Sequence, residues 1–325
     1  MRHRIVGLLA GVTLLAAAAI GAGTVLSAPA AHAAYPGANG RIAFEQGGVL
    51  YSIRPDGSDR RQLTTNTNSH SPRWSPNGRR LAFHRAGDIW IMQPDGSAAH
   101  RITSGSANDI NPSWSPDGSR LVFSRTTTGT LTGRSLYVVS AAGGSGQRLT
   151  TSSDGCAVEP TWSATGRYVV YWDKCPGGVI SPGSTGNALR KVNTTTGAIS
   201  TVVGVAGLAT PAGQFLVLNT GPDVTPDGSH VVFTALNQTS GQYYIAIVDL
   251  SGGGFRALSS QIEGGVFLAD DPAVSPDGTL VVYTTGNENP QLDVITTSGS
   301  DQGGNLIYAS GTNDFPLRPD WQPRP

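Results

Sequence analysis

The sequence predicts an all-β fold, a six-bladed β-propeller of four-stranded antiparallel blades whose ring closes by pairing the C-terminal strand with the N-terminal blade. Three observations predict it. A segment of fixed pattern recurs: Pro72-Arg-Trp-Ser-Pro-Asn-Gly78-Arg-Arg-Leu-Ala-Phe83 returns at Pro112–Phe123 and Pro160–Tyr171, and in weaker form at Pro222–Phe233 and Pro272–Tyr283. The repeat positions Trp74, Trp114, Trp162, Val224, Val274 and Trp321 are spaced by 40, 48, 62, 50 and 47 residues, about the length of a four-stranded blade. The chain also begins its first unit at Asn39-Gly-Arg-Ile-Ala-Phe44 without a preceding Pro-x-Trp, and ends at Pro319-Asp-Trp321 without a following strand. Each fragment supplies what the other lacks, and a ring closed this way leaves no large open sheet edge.

Each element follows from local chemistry. Pro-x-Trp reads as a short first strand. Ser-Pro-Asp-Gly reads as a tight turn, with Pro setting φ, Asp bonding its own backbone and Gly taking a positive φ. Leu-Val-Phe and its variants read as the second strand, and Ile89-Trp-Ile-Met92 and Leu136-Tyr-Val-Val139 as third strands. Arg61-Gln-Leu-Thr64, Arg101-Ile-Thr103 and Gln147-Arg-Leu-Thr150 read as fourth strands. Alternation of apolar and polar residues between Gly, Pro and Asp supports antiparallel strands throughout. Counting second strands at Phe44, Phe83, Phe123, Tyr171, Phe233 and Tyr283 gives the six blades.

These repeats resemble the TolB-type, WD-repeat-like β-propeller family, whose units carry Pro-x-Trp-Ser-Pro-Asp-Gly followed by an apolar strand. The resemblance covers residues 39–323. It implies a protein-binding module of the cell envelope or extracellular space. The sequence departs from TolB in having no separate α/β domain ahead of the propeller.

Residues 1–33 read as a signal peptide: Arg2 and Arg4, an apolar run from Ile5 to Leu26, and small residues at Ala31-His-Ala33. The domain plan is therefore a signal at 1–33 and one propeller at 34–325, exported and with no membrane insertion after cleavage. The whole chain has 22 basic and 22 acidic residues. Arg2 and Arg4 leave with the signal, so the mature chain carries about −2, which offers no electrostatic footprint for nucleic acid. The only two cysteines, Cys156 and Cys175, flank one predicted hairpin, and an even pair in an exported chain reads as a disulfide.

Catalytic signatures are sparse. The sequence has no Gly-x-Ser-x-Gly, His-Glu-x-x-His or His-x-His, so it suggests no catalytic residue, no metal site and no cofactor. The residues preceding each first-strand Pro, namely Ser71, Asn111, Glu159, Gly221, Asp271 and Arg318, are expected to ring the mouth of the central channel, with His70, Asp109 and Asp270 nearby. Long irregular loops at 124–134, 172–187, 204–221 and 234–242 share that face, where binding residues tend to lie. Phe215-Leu-Val-Leu218 within one of them is apolar enough to add a strand or a plug. Trp172 breaks the Trp repeat and reads as a ligand plate. His70, Asn111, Glu159, Trp172, Asp271 and Arg318 are thus the binding candidates, for a protein partner of a monomeric chain. The alternative is a glycan, bound by a carbohydrate-active propeller, a glycoside hydrolase or polysaccharide lyase working at the channel mouth.

Overall fold

The computed structural model describes residues 37–126, 133–151, 156–173, 188–204, 208–210, 213–217, 221–237, 240, 242–259, 270–286, 290–299, 305–311 and 315–324. Among these residues every regular element is a β-strand. They fall into six antiparallel sheets. Residues Ala31–Pro325 make up one compact unit.

Blade two shows the plan: Ser69–Trp74, Leu81–Arg85, Asp88–Met92 and His100–Arg101 follow one another as neighbours in the sheet. Blade one takes its first strand from the other end of the chain. Leu317–Arg324 pairs antiparallel with Ala38–Gln46, with Ile42 opposite Trp321 and Ala43 opposite Asp320. The ring is closed as the sequence predicts.

Blade five departs from the four-strand plan. Its second strand, His230–Asn237, pairs with the short first strand Asp223–Val224 and, further along, with Gly213–Val217. Leu208–Thr210 adds a further strand to Gly213–Val217, giving a six-stranded sheet. The apolar segment from Phe215 is therefore an extra strand, and the long repeat spacing of 62 residues before Val224 accommodates it.

The core lies between blades. Residues alternating along each second strand go to opposite interfaces. Leu81 and Phe83 pack with Ala43 and Leu50 of blade one, whereas Ala82 packs with Trp114 and Phe123 of blade three. The same split separates Val122 from Phe123, Val170 from Tyr171, Val232 from Phe233, and Val282 from Tyr283. Ile42, Phe44 and Trp321 of blade one meet Ala273, Val282 and Leu292 of blade six, which closes the apolar circuit. Burial on both faces explains why second strands read as nearly continuous apolar runs rather than as alternating ones.

The repeated turns are alike. In each, the Gly N–H donates to the carbonyl of the Ser or Thr three residues earlier, as from Gly118 to Ser115 at 2.8 Å, and the Gly φ lies between 63° and 74°. Gly78 carries a second requirement. A Cβ there would collide with the carbonyl oxygen of Pro323, where the closing strand crosses the turn.

Candidate functional site at the channel mouth

The first strands of blades one, two, three, four and six carry a bulge where they enter the ring. In blade two, His70 pairs with His84 and Arg73 with Ala82, so Ser71 and Pro72 together face one residue. Blades three, four and six have the same register jump. Pro fits this position because it has no N–H to give the ladder. The residue before it takes a left-handed backbone: φ is 52° at Ser71, 54° at Asn111, 50° at Glu159, 49° at Asp271 and 52° at Arg318. Non-glycine residues pay about 1–2 kcal/mol for this conformation, and such strain gathers at sites where the fold must aim a side chain.

The aim is toward one another across the channel. Arg318 Nη1 donates to Ser71 Oγ at 2.5 Å, and Ser71 Oγ donates to Asn111 Oδ1 at 3.1 Å. The same guanidinium lies 3.7 Å from Glu159 Oε1 and 3.8 Å from Asp271 Oδ2. Asp271 Oδ1 accepts the Gly221 N–H at 3.1 Å. All six positions expected from the sequence line one small cavity of ≈ 10 Å³, room for about one water. His70 sits beside the ring, its Nδ1 2.6 Å from Glu45 Oε1 and its imidazole stacked on His84 at 5.1 Å. Burial pushes the His84 imidazole well below its ordinary pKa, and the positive charge of Arg318 adds to that.

Asp109 is placed behind the ring. Its carboxylate is held by Arg125 through two bonds of 2.6 Å, from Nε and from Nη2. The side chain of Asp270 and the residues at 127–132 and 174–187 lie outside the described residues, as do Cys175 and residues 1–33. Among the described residues no group of three or more His, Cys, Asp or Glu is arranged to hold a metal ion.

The expectation for Trp172 is corrected. Its side chain is 1 % exposed and packs with Val170, Leu189 and Phe233 between blades four and five. Leaving the aromatic repeat register does not lead to solvent in a strand whose two faces both meet a neighbouring blade. Trp172 presents no plate to a ligand.

Sequence reasoning missed a second tier. In five of the six repeats the residue after the first-strand Pro lines a deeper cavity of ≈ 30 Å³, namely Arg73, Ser113, Thr161, Asp223 and Asp320, whereas Ala273 of blade six belongs to the core. Asp223 Oδ2 accepts the Val274 N–H at 2.8 Å, and Asp320 Oδ2 accepts the Trp74 N–H at 2.5 Å. Burial pushes Asp223 up to about 6 and Asp320 up to about 7, although the Arg73 charge pulls both down. The charge on Asp223 adds to the rise at Asp320. The available signal was a polar or charged residue directly after the first-strand Pro in five of the six repeats.

Six blades, with the first closed by the C-terminal strand and a ring of polar residues at the channel mouth, define a closed β-propeller. Residues 42–196 match the model of the TolB β-propeller domain, and the chain is in this respect similar to the TolB-type β-propeller family. TolB from Acinetobacter baumannii is similar in structure, with 19% identity, a TM-score of 0.66, and coverage of 88% of this chain and 67% of that one. A putative TolB from Agrobacterium tumefaciens has 17% identity and a TM-score of 0.60, covering 84% and 90%. An oligogalacturonate lyase in complex with manganese has 14% identity and a TM-score of 0.57, covering 82% and 72%. At these identities the likeness is one of fold. Among curated proteins, none matches this sequence.

Proposed function

We propose that this chain is an exported TolB-type propeller that binds a protein partner of the cell envelope or extracellular space through its channel mouth. The observation that carries the reading is the ring itself. Five non-glycine residues accept left-handed backbone strain to bring polar side chains together, yet the gap among them is only ≈ 10 Å³. Small-molecule sites enclose about 300–1,000 Å³. A ligand therefore rests on this ring rather than entering it, as a protein surface does. The likeness to TolB proteins supports export and a protein partner.

The test is a pull-down from envelope extract with the mature protein as bait, followed by affinity measurement with the partner it captures. Alanine at His70, Asn111 or Glu159 is expected to weaken binding about tenfold or more, the size of one lost charged or well-placed hydrogen bond. Asp56→Asn and Asp95→Asn, in exposed turns at the other end of the blades, leave it unchanged. Loss of binding in the turn variants with retention in the mouth variants would overturn the assignment. So would a mouth that binds oligogalacturonate or manganese but no protein.

Export also bears on the cysteines. Cys156 is buried at the entrance to blade four, where its N–H donates to Asp173 Oδ1 at 3.0 Å. Among the described residues no cysteine is free. We assign Cys156 and Cys175 as a disulfide closing a loop of about twenty residues, worth about 3 kcal/mol by the chain-entropy argument. Mass spectrometry of the non-reduced exported protein should show the two peptides linked. Alkylation of both thiols without reduction would exclude the bond.

A further inference from the structure

The deeper tier of the channel shares Arg73 with the mouth cavity and has chemistry of its own. Arg73, Asp223 and Asp320 are the charged groups lining the ≈ 30 Å³ cavity, and its other walls are Trp74, Ser113, Trp114, Thr161, Val274, Pro276 and Trp321. One cation faces two carboxylates. Arg73 Nη1 stands 3.8 Å from Asp320 Oδ1 and donates to the Pro319 carbonyl at 3.4 Å. Asp223 lines the same cavity, and Thr161 Oγ1 and the Val224 and Val274 N–H groups donate to its two oxygens. With both carboxylates ionised the chamber carries one uncompensated negative charge, and one added proton makes it neutral.

A second observation points to the same cavity. Trp74 lines it, and among the described residues its buried Nε1 has no hydrogen-bond partner. Its counterparts Trp114 and Trp321 donate to the Arg73 and Ala273 carbonyls. The cavity has room for about one water, for which Trp74 Nε1 is a ready donor.

We propose that Asp223 and Asp320, with Arg73 in the same cavity, form a buried proton-binding site at the seam of the ring, and that its proton holds the closing strand in place. Asp320 belongs to Leu317–Arg324, and its carboxylate takes the Trp74 N–H of blade two. The site therefore joins the C-terminal strand to the next blade. Loss of the proton sets two carboxylates against one guanidinium and loosens that strand. Arg318, two residues away on the same strand, carries the change to the mouth.

The sign follows from linkage. The native pair keeps a proton to near neutrality, whereas unfolded aspartates release theirs at about 3.9. Between these limits the folded state binds more protons, so stability falls as pH rises, about tenfold in the folding constant per pH unit for each retained proton. His84 works in the opposite sense. It is held neutral in the fold, so it favours folding more as pH rises toward about 6.5, where unfolded histidine releases its proton. The difference between variant and wild type isolates the pair.

The experiment compares unfolding of the mature wild-type protein, Asp320→Asn and Asp223→Asn from pH 5 to 8. Hydrogen exchange of Leu317–Arg324 and the infrared band of a protonated carboxyl are followed alongside. Relative to wild type, each variant should gain about tenfold in folding constant per pH unit between pH 5 and 7. The wild type should show the carboxyl band at pH 6 and faster exchange of the closing strand, corrected for intrinsic rate, at pH 8. Asp223→Asn keeps the Asp320 acceptor for Trp74 and decides the matter if Asp320→Asn does not fold. Variant profiles parallel to wild type, or no protonated carboxyl at pH 6, would overturn the proposal.

Discussion

Deleting residues 316–325 is expected to abolish the native fold. The deletion removes Leu317–Arg324, the first strand of blade one, and leaves Ala38–Gln46 as an open edge. It also removes Trp321 from the cluster of Ile42, Phe44, Ala273, Val282 and Leu292 that seals blade one against blade six. The Pro316 carbonyl, which accepts the Thr284 hydroxyl at 2.6 Å, is lost as well. The milder Trp321→Ala, at a side chain 4 % exposed, should cost about 3–5 kcal/mol in transfer and cavity terms. Denaturant unfolding monitored by fluorescence and circular dichroism measures both. A truncated protein that melts at the wild-type temperature would show that the ring does not depend on this strand.

Replacing Arg125 by Met should destabilise the protein by about 3–5 kcal/mol, the cost of leaving a buried charge without its partner. The Asp109 side chain is 2 % exposed, and Arg125 meets both of its oxygens at 2.6 Å in a planar fork. The guanidinium also lies over Tyr137, 4.6 Å from the ring centre. Arg125→Lys should recover only part of the loss, since an ammonium cannot make the paired bonds or stack in the same way. Adding Asp109→Asn to Arg125→Met should restore much of the stability, because the orphaned charge is then gone. A double-mutant cycle measures the coupling. A coupling energy near zero would mean that the pair contributes no more than an exposed salt bridge.

Much of this architecture was legible because it is written in short-range chemistry. Turn residues at Pro76-Asn-Gly78 and Pro116-Asp-Gly118 mark strand ends, the Pro-x-Trp spacing marks blades, and the incomplete first and last units mark the seam. The six mouth positions could be named because each precedes a Pro at the same place in the repeat. Their left-handed backbone could not be read, since a residue before Pro ordinarily favours extended conformations. It arises from the bulge, which depends on pairing with the second strand. Trp172 was misread because a break in a one-dimensional pattern does not reveal which faces of a strand are covered. The extra hairpin of blade five left two traces, a long spacing and the apolar run Phe215-Leu-Val-Leu218. Arg73, Asp223 and Asp320 are far apart in sequence, at 73, 223 and 320, and become one chamber only when the ring closes.

We propose that a protein partner docks on the channel mouth of the closed ring. Hydrogen–deuterium exchange of the mature protein, with and without the partner captured from envelope extract, distinguishes this docking from its alternatives. Protection is expected where the first strands enter the ring, around Ser71, Asn111, Glu159, Asp271 and Arg318. Protection confined to the turns at Asn77, Asp117, Asp227 and Asp277 would contradict it.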